Sequence, residues 1–298
     1  MKFFNTKATL AAALLAASSG SFAAPFYLDS GVDFGNRGLA GGKVCTTCTS
    51  EKTEFQFKYD SRTVITDTDG SGSISAGDAL STVGGLATGG TLGNNVVTNF
   101  LPAEVFGSNS NNGYGSSFLL GFSVTGLNGM VTGVTPAGAP TFAYAPGGVV
   151  DLFYTTDGVN FINFMDILLT GGGATGVSTI LNGVVDFTNI SPGVSSDLLN
   201  LFHTANASCG ADSSFYSIWS GQGSCGDLNI DFSSTQDANV AVSQFVQVGN
   251  EFRLSTNHNG SATFTVDANE VPEPGSLALL GLGLAGLGLV KRRRARQA

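Results

Sequence analysis

The chain has 298 residues, 42 of them glycine, with 13 basic and 22 acidic side chains and a formal net charge of −9. Without the two terminal segments described below, six basic and twenty-one acidic residues remain, a net charge near −15. A surface that negative repels nucleic-acid phosphates and anionic headgroups and attracts divalent cations, so nucleic acid is excluded as a partner. Glycine stands at about twice its usual share, and helical periodicity is nearly lacking between residues 25 and 270. The fold class that follows is all-β: an antiparallel β-sandwich or meander with long Gly/Ser/Asn-rich loops, plus a C-terminal transmembrane helix. A body of about 250 residues accommodates one sandwich or two smaller sheets.

At the N-terminus Lys2 and Lys7 precede an apolar segment over residues 8–17, and Ser21-Phe22-Ala23 supplies the small-x-small pattern of a signal-peptidase site. Cleavage after Ala23 defines a signal peptide over 1–23. One residue later it would leave Pro25 first, where its ring obstructs the protease. The exported domain then spans 24–270, in an oxidising compartment. Its four cysteines, Cys45, Cys48, Cys209 and Cys225, allow three pairings. Proximity in sequence favours Cys45 with Cys48 and Cys209 with Cys225, the second bridge stapling the loop that carries Trp219. Around the Cys-x-x-Cys, Thr46 and Thr47 supply no cation to lower a thiol pKa, and no second such pair completes a zinc site.

Residues 25–34 alternate enough for an opening strand, and 54–59 alternate clearly, with Phe55, Phe57 and Tyr59 on one face. Next comes Asp67-Thr68-Asp69-Gly70-Ser71-Gly72-Ser73-Ile74-Ser75-Ala76-Gly77-Asp78, whose oxygen-bearing side chains at positions 1, 3, 5, 9 and 12 suit a hard cation. Glycine at position 6 permits the sharp turn, and Ile74 at position 8 anchors the loop to the core. The pattern resembles the EF-hand and dockerin-type loops, and it implies a lone Ca2+ site made by Asp67, Asp69, Ser71, Ser73, Ser75 and Asp78. Asp78 in place of glutamate at position 12 and Ser71 at position 5 point to modest affinity. Repulsion among three carboxylates would leave such a loop for calcium to order.

Residues 78–115 read as loops or a short helix. Strands are expected over 117–124, 129–134, 140–145, 148–154, 164–170 and 183–187, with Thr156-Asp157-Gly158 and Gly171-Gly172-Gly173 as turns. A helical turn over 195–203, with Ser196 as its cap, precedes strands over 228–232, 241–248, 251–257 and 261–266. The last two are joined through the hairpin signal His258-Asn259-Gly260.

Catalytic motifs are lacking: no Gly-x-Ser-x-Gly, no His-Glu-x-x-His and no phosphate-binding glycine loop occurs. The two histidines, His203 and His258, suit a core and a turn. Carboxylate pairs of the kind that hydrolyse glycosides are available in Asp227 with Asp231 and Asp151 with Asp166. The expectation is a non-enzyme.

The chain ends in a tripartite tail over 271–298: Val271-Pro272-Glu273-Pro274-Gly275, a fifteen-residue apolar run over 276–290, and Lys291-Arg292-Arg293-Arg294-Ala295-Arg296. As a helix the run is about 22 Å long, short of a hydrocarbon core of about 30 Å, and the basic cluster holds the terminus in the cytoplasm with the body outside. The tail resembles the PEP-CTERM sorting signal of Gram-negative bacteria, in which Pro272, Glu273 and Pro274 would be recognised by an exosortase-type sorting protease. That resemblance implies transient inner-membrane anchoring, removal of the tail, and release to the cell surface or extracellular matrix. The start Pro25-Phe26-Tyr27-Leu28-Asp29, the Asp67-x-Asp69 loop with Gly77-Asp78, and Asn257-His258-Asn259-Gly260-Ser261 are similar to the flocculation-associated PEP-CTERM proteins. This wider resemblance implies a structural matrix protein that promotes flocculation and biofilm formation with exopolysaccharide. A carbohydrate-binding module is the alternative, for which 22 Phe, six Tyr and one Trp are available. A secreted hydrolase comes third.

Overall fold

The computed structural model describes residues 25–31, 37–38, 44–102, 114–115, 117–175, 178–205, 213–222, 228–237 and 241–268. The signal peptide, Cys209, Cys225, Asp227 and the sorting tail lie outside them. Among the described residues no helix is long and apolar enough to cross a membrane.

Three short strands come first, β1 (Phe26–Leu28), β2 (Arg37–Gly38) and β3 (Val44–Cys45). Then the wall begins with β4 (Glu54–Thr66), β5 (Ala79–Gly85), β6 (Val96–Leu101), β7 (Leu119–Val134), β8 (Pro140–Tyr144), β9 (Val149–Thr155), β10 (Ile162–Ala174) and β11 (Ser178–Asp186). A single turn of helix, α1 (Ser196–Leu199), leads to β12 (Phe202–Thr204) and α2 (Phe215–Trp219), and β13 (Leu228–Asp237), β14 (Val246–Val248) and β15 (Glu251–Ala268) complete the described chain.

Eleven of these strands form one antiparallel sheet, and it closes on itself because β15 pairs with β4 as well as with β13. The result is a barrel and not a sandwich. Two places in the wall are shared by successive strands: β5 and β6 both lie between β4 and β7, and β8 and β9 both lie between β7 and β10. Around the wall this leaves eight strand positions, a circumference whose interior side chains can just fill.

Alternation along β4 fixes what they fill it with. Phe55, Phe57, Tyr59, Ser61, Thr63 and Ile65 are all buried, while the residues between them face outward. At one end the interior is aromatic. Phe264 is wholly buried, with the rings of Phe26, Phe55, Phe202, Phe215 and Phe232 at centroid distances of 5.0–6.0 Å. Such pairs add about 0.5–1.5 kcal/mol each beyond their buried area. This end is stoppered by a plug in which β1 pairs with β12, and α1 and α2 add Leu198, Phe215 and Ile218 to the same core. Cys45 and Cys48 are disulfide-bonded as expected, beneath Tyr27 of the plug. The other end is closed by a smaller cluster of Ile65, Ile74, Leu80, Val131 and Phe252.

Several elements differ from the sequence reading. Residues 78–115 contain two wall strands, because Leu80, Val97 and Phe100 supply inward hydrophobes that their Gly/Ser/Thr neighbours mask. Segments 117–124 and 129–134 are one strand with a register shift. Gly171-Gly172-Gly173 is no turn: it lies within β10, where a side chain on Gly172 would strike the Ile180 carbonyl at 2.2 Å. Region 241–248 is a 3-10 turn at Val242–Gln244 followed by the short β14. The cap of α1 is Ser195, whose Oγ accepts from the Leu198 N–H, and His203 belongs to β12. Nor does His258-Asn259-Gly260 form a hairpin, since β15 runs through it unbroken. Gly260 serves close packing, for a Cβ there would lie 2.6 Å from the Thr235 carbonyl and 2.7 Å from the Phe57 ring.

Gly260→Ala should therefore destabilise the barrel by about 1–3 kcal/mol, the usual cost of overpacking. Gly133→Ala, whose Cβ would meet only the Thr141 hydroxyl at 3.6 Å, should leave stability nearly unchanged. Urea unfolding midpoints of both variants against the parent check this contrast.

Candidate functional site

The twelve-residue acidic loop is the whole connection between β4 and β5, so the two strands clamp both of its ends. Ile74 is buried among Ile65, Leu80, Val131 and Phe252, which is the anchoring expected of position 8. Gly70, Gly72 and Gly77 take positive φ values of 72°, 71° and 99°, turning the chain three times in eight residues. Carboxylate oxygens of Asp67, Asp69 and Asp78 lie within 4.8 Å of one another. Asp67 accepts from the N–H groups of Gly70 (2.8 Å), Ser71 (3.2 Å) and Gly72 (2.8 Å). Asp69 accepts from Ser71 N–H at 2.9 Å and the Ser75 hydroxyl at 3.1 Å, and the Ser71 donor in particular holds its carboxyl below the usual carboxylate range. Asp78 is wholly buried and accepts from Thr68 N–H at 3.0 Å and Ser75 N–H at 2.8 Å. The repulsion expected among the three acids is thus met by the loop's own backbone donors. An all-oxygen set of three carboxylates and the hydroxyls of Ser71, Ser73 and Ser75 fits a hard cation such as calcium.

A second acidic feature runs across the outer wall. Asp166 of β10 stands directly opposite Asp151 of β9 on one side and Asp186 of β11 on the other, forming a row across three strands. It points away from the core that Ile167 and Leu169 face, yet Asp166 is only 1% exposed. Asn163 Nδ2 donates to Asp166 Oδ1 at 2.8 Å, while Thr188 N–H (3.0 Å), Thr188 Oγ1 (2.8 Å) and Trp219 Nε1 (3.1 Å) donate to Asp186. Asp151 is the cross-strand neighbour of Asp166, and burial together with the Asp166 charge pushes Asp151 up to about 6. The sequence singled out Asp151 and Asp166 but missed Asp186 and its bond to Trp219. An aspartate directly following the apolar pair Val184 and Val185 at the end of β11 was the available signal.

Both histidines pack on tyrosines. His258 lies within β15, its ring stacked on Tyr59 at 5.0 Å and its Nε2 2.8 Å from Ser61 Oγ. His203 stacks on Tyr27 at 4.9 Å. Between the plug and the barrel rim lies a cleft of about 530 Å³, with Tyr154 and Ile162 on the rim side and Asp29, Ser195, Asp197 and Asn200 on the plug side.

An acidic, closed antiparallel barrel with a disulfide-tied plug is the class that fold and surface define. Over residues 270–294, which contain Pro272, Glu273 and Pro274, the chain matches the PEP-CTERM protein-sorting motif that exosortases recognise, and this motif indicates a protein exported and processed at the membrane. No curated protein and no solved structure matches the chain.

The carboxylate row makes a pH prediction. A folded-state pKa raised from 3.8 to about 6 stabilises the barrel fully below about pH 4, and that contribution is lost as pH rises through 6. Unfolding midpoints measured from pH 4 to 7 should fall for the parent relative to Asp151→Asn, which carries no titrating proton there. Parallel curves for the two proteins would remove Asp151 as the group responsible.

Proposed function

We propose that the processed barrel is a non-enzymatic component of the cell surface or extracellular matrix that promotes flocculation and biofilm formation with exopolysaccharide. The observation that carries this reading is the sorting motif at 270–294, because it marks an acidic domain for export and processing at the membrane. The absence of nucleophile, metal-hydrolase and nucleotide motifs in the sequence fits a structural part. A closed wall with its plug suits service outside the cell, where no chaperone returns an unfolded chain.

Calcium completes the reading. Asp67, Asp69, Ser71, Ser73, Ser75 and Asp78 would hold the ion, and bound divalent charge would reduce repulsion between bodies of net charge near −15. Because backbone N–H groups already satisfy the loop, the ion acts mainly by charge neutralisation and by mass action on the folded state.

Three measurements test this. Intact mass of the extracellular protein should show a chain that starts at Ala24 and has lost Lys291 to Arg296; retention of that cluster would contradict processing. Melting temperature should rise with log free calcium, by the equivalent of about 2.7 kcal/mol at a hundredfold excess over Kd. In the double variant Asp67→Ala/Asp69→Ala the calcium-dependent shift should vanish, whatever the variant's starting stability. Deleting the gene should reduce cell aggregation, and chelator should reproduce part of that loss in the parent; aggregation untouched by deletion would end the matrix reading.

A further inference from the structure

The cleft between plug and rim, at about 530 Å³, falls in the range of about 300–1,000 Å³ that small-molecule sites occupy. The two chambers inside the barrel do not, at about 30 and 40 Å³. Its walls differ in chemistry. On the rim, Ile162 stands directly opposite Tyr154 across the β9–β10 ladder, so the two side chains lie next to each other on one face, and Ile162 is 40% exposed. Tyr154 is backed by Phe118, stacked at 5.4 Å with the rings 18° apart, which fixes the tyrosine as a rigid half-buried platform. Burial raises the Tyr154 hydroxyl above its ordinary pKa, so it stays a neutral donor.

The plug supplies the polar wall. Ser195 Oγ caps α1, and Asp29 N–H donates to the Leu201 carbonyl at 2.9 Å, which ties the end of β1 to the end of α1 and sets Asp29, Asp197 and Asn200 around one opening. Asp197 is exposed and makes no hydrogen bond or ion pair with another described residue. Among the described residues that line the cleft there is no lysine or arginine.

An apolar ring platform facing carboxylates, an amide and hydroxyls matches a pyranose, which presents a C–H face on one side and a rim of hydrogen-bonding substituents on the other. The two carboxylates select the charge of those substituents. A uronate or sulfated chain would be repelled, whereas an ammonium group gains charge-assisted hydrogen bonds. We infer that this cleft binds an amino-sugar polysaccharide through its free ammonium groups, with Tyr154 and Ile162 as the stacking platform and Asp197, Asp29 and Asn200 as the polar contacts. The inference rests on the matrix reading above and names the polymer class. A polycation held by acidic barrels would link one molecule to the next.

The test uses the mature chain, residues 24–270, and calorimetric titration with a glucosamine hexamer, an N-acetylglucosamine hexamer and a lysine hexamer. The glucosamine hexamer should bind, its affinity falling about fivefold or more in Asp197→Asn, an exposed and conservative change, and about tenfold in Tyr154→Ala. Binding should also weaken as salt rises. Equal affinity for the N-acetylated hexamer, equal affinity in Asp197→Asn, or no binding at millimolar ligand would each overturn the inference. Lysine hexamer binding with the same affinity and the same dependence on Tyr154 would overturn the sugar assignment. A deletion strain complemented with Asp197→Asn separates the two readings. Loss of aggregation on deletion with full rescue by the variant sinks the cleft and keeps the matrix role, while deletion without effect sinks the matrix role and leaves the calorimetry to decide the cleft.

Discussion

The ladder between β4 and β15 pairs Phe55 with Ala262 at one end and Thr66 with Glu251 at the other, joining segments nearly 200 residues apart in sequence. Every other feature of the molecule depends on that closure. Without it the sheet would have two long edges and an aromatic face open to water, both of which invite association with other chains. With it the inward side of β4 becomes a column from Phe55 to Ile65 that the other strands can pack around. The same closure places the acidic loop at one end of the barrel and the plug at the other, so the two polar regions are set apart by the length of β4. Forming so distant a pairing costs loop entropy before any contact repays it, so this barrel should be a slow folder.

Closure also explains an uneven interior. The plug end is filled with phenylalanine, but the middle of the barrel carries Tyr59, Ser61, Thr63, Thr82, Ser234 and Gln236 on inward positions. Each finds a partner there. The Tyr59 hydroxyl donates to Gln236, Gln236 Nε2 donates to Ser234, and Thr63 and Thr82 share a hydrogen bond at 3.0 Å. Burial then drives the Tyr59 hydroxyl far above its ordinary pKa, so it acts as a fixed donor. Such a belt is tolerable in a low-dielectric core only when its members satisfy one another, and it holds the register of strands that aromatic packing alone would leave free to adjust.

Negative charge is handled in two ways on the outside. In the β4–β5 loop and in the β9–β10 turn, backbone N–H groups converge on carboxylates: three on Asp67, and those of Val159 and Asn160 on Asp157, whose carboxyl is held far below the usual range. Backbone donors thereby keep the Asp157 carboxyl ionised. Along Asp151, Asp166 and Asp186 the strands bring three carboxyl groups together, and burial and the neighbouring charge raise the pKa of Asp151. An acidic exported domain thus contains carboxylates held by backbone donors and carboxylates crowded against one another. Sequence charge counts the two kinds alike.

The all-β class, the acidic loop with Ile74 as its anchor, the Cys45–Cys48 bridge and the sorting tail were all legible in the sequence, because each depends on residues close together in the chain. A twelve-residue loop, a Cys-x-x-Cys and a Pro-Glu-Pro with its apolar run are local patterns whose spacing carries their chemistry. What the sequence left open depended on partners far away. Gly260 looked like a turn because Asn-Gly usually is one, and only Phe57 and Thr235 pressing on it show a glycine chosen for close approach. Gly171 to Gly173 misled for the same reason. Whether the strands made a sandwich or a barrel turned on one pairing between residues 54–66 and 251–262, which no local alternation encodes. The cleft was invisible too, since Tyr154, Asp197 and Asp29 meet only when the plug folds over the rim. Local pattern fixes which residues form strands and loops, while closure of the wall decides which of them face one another.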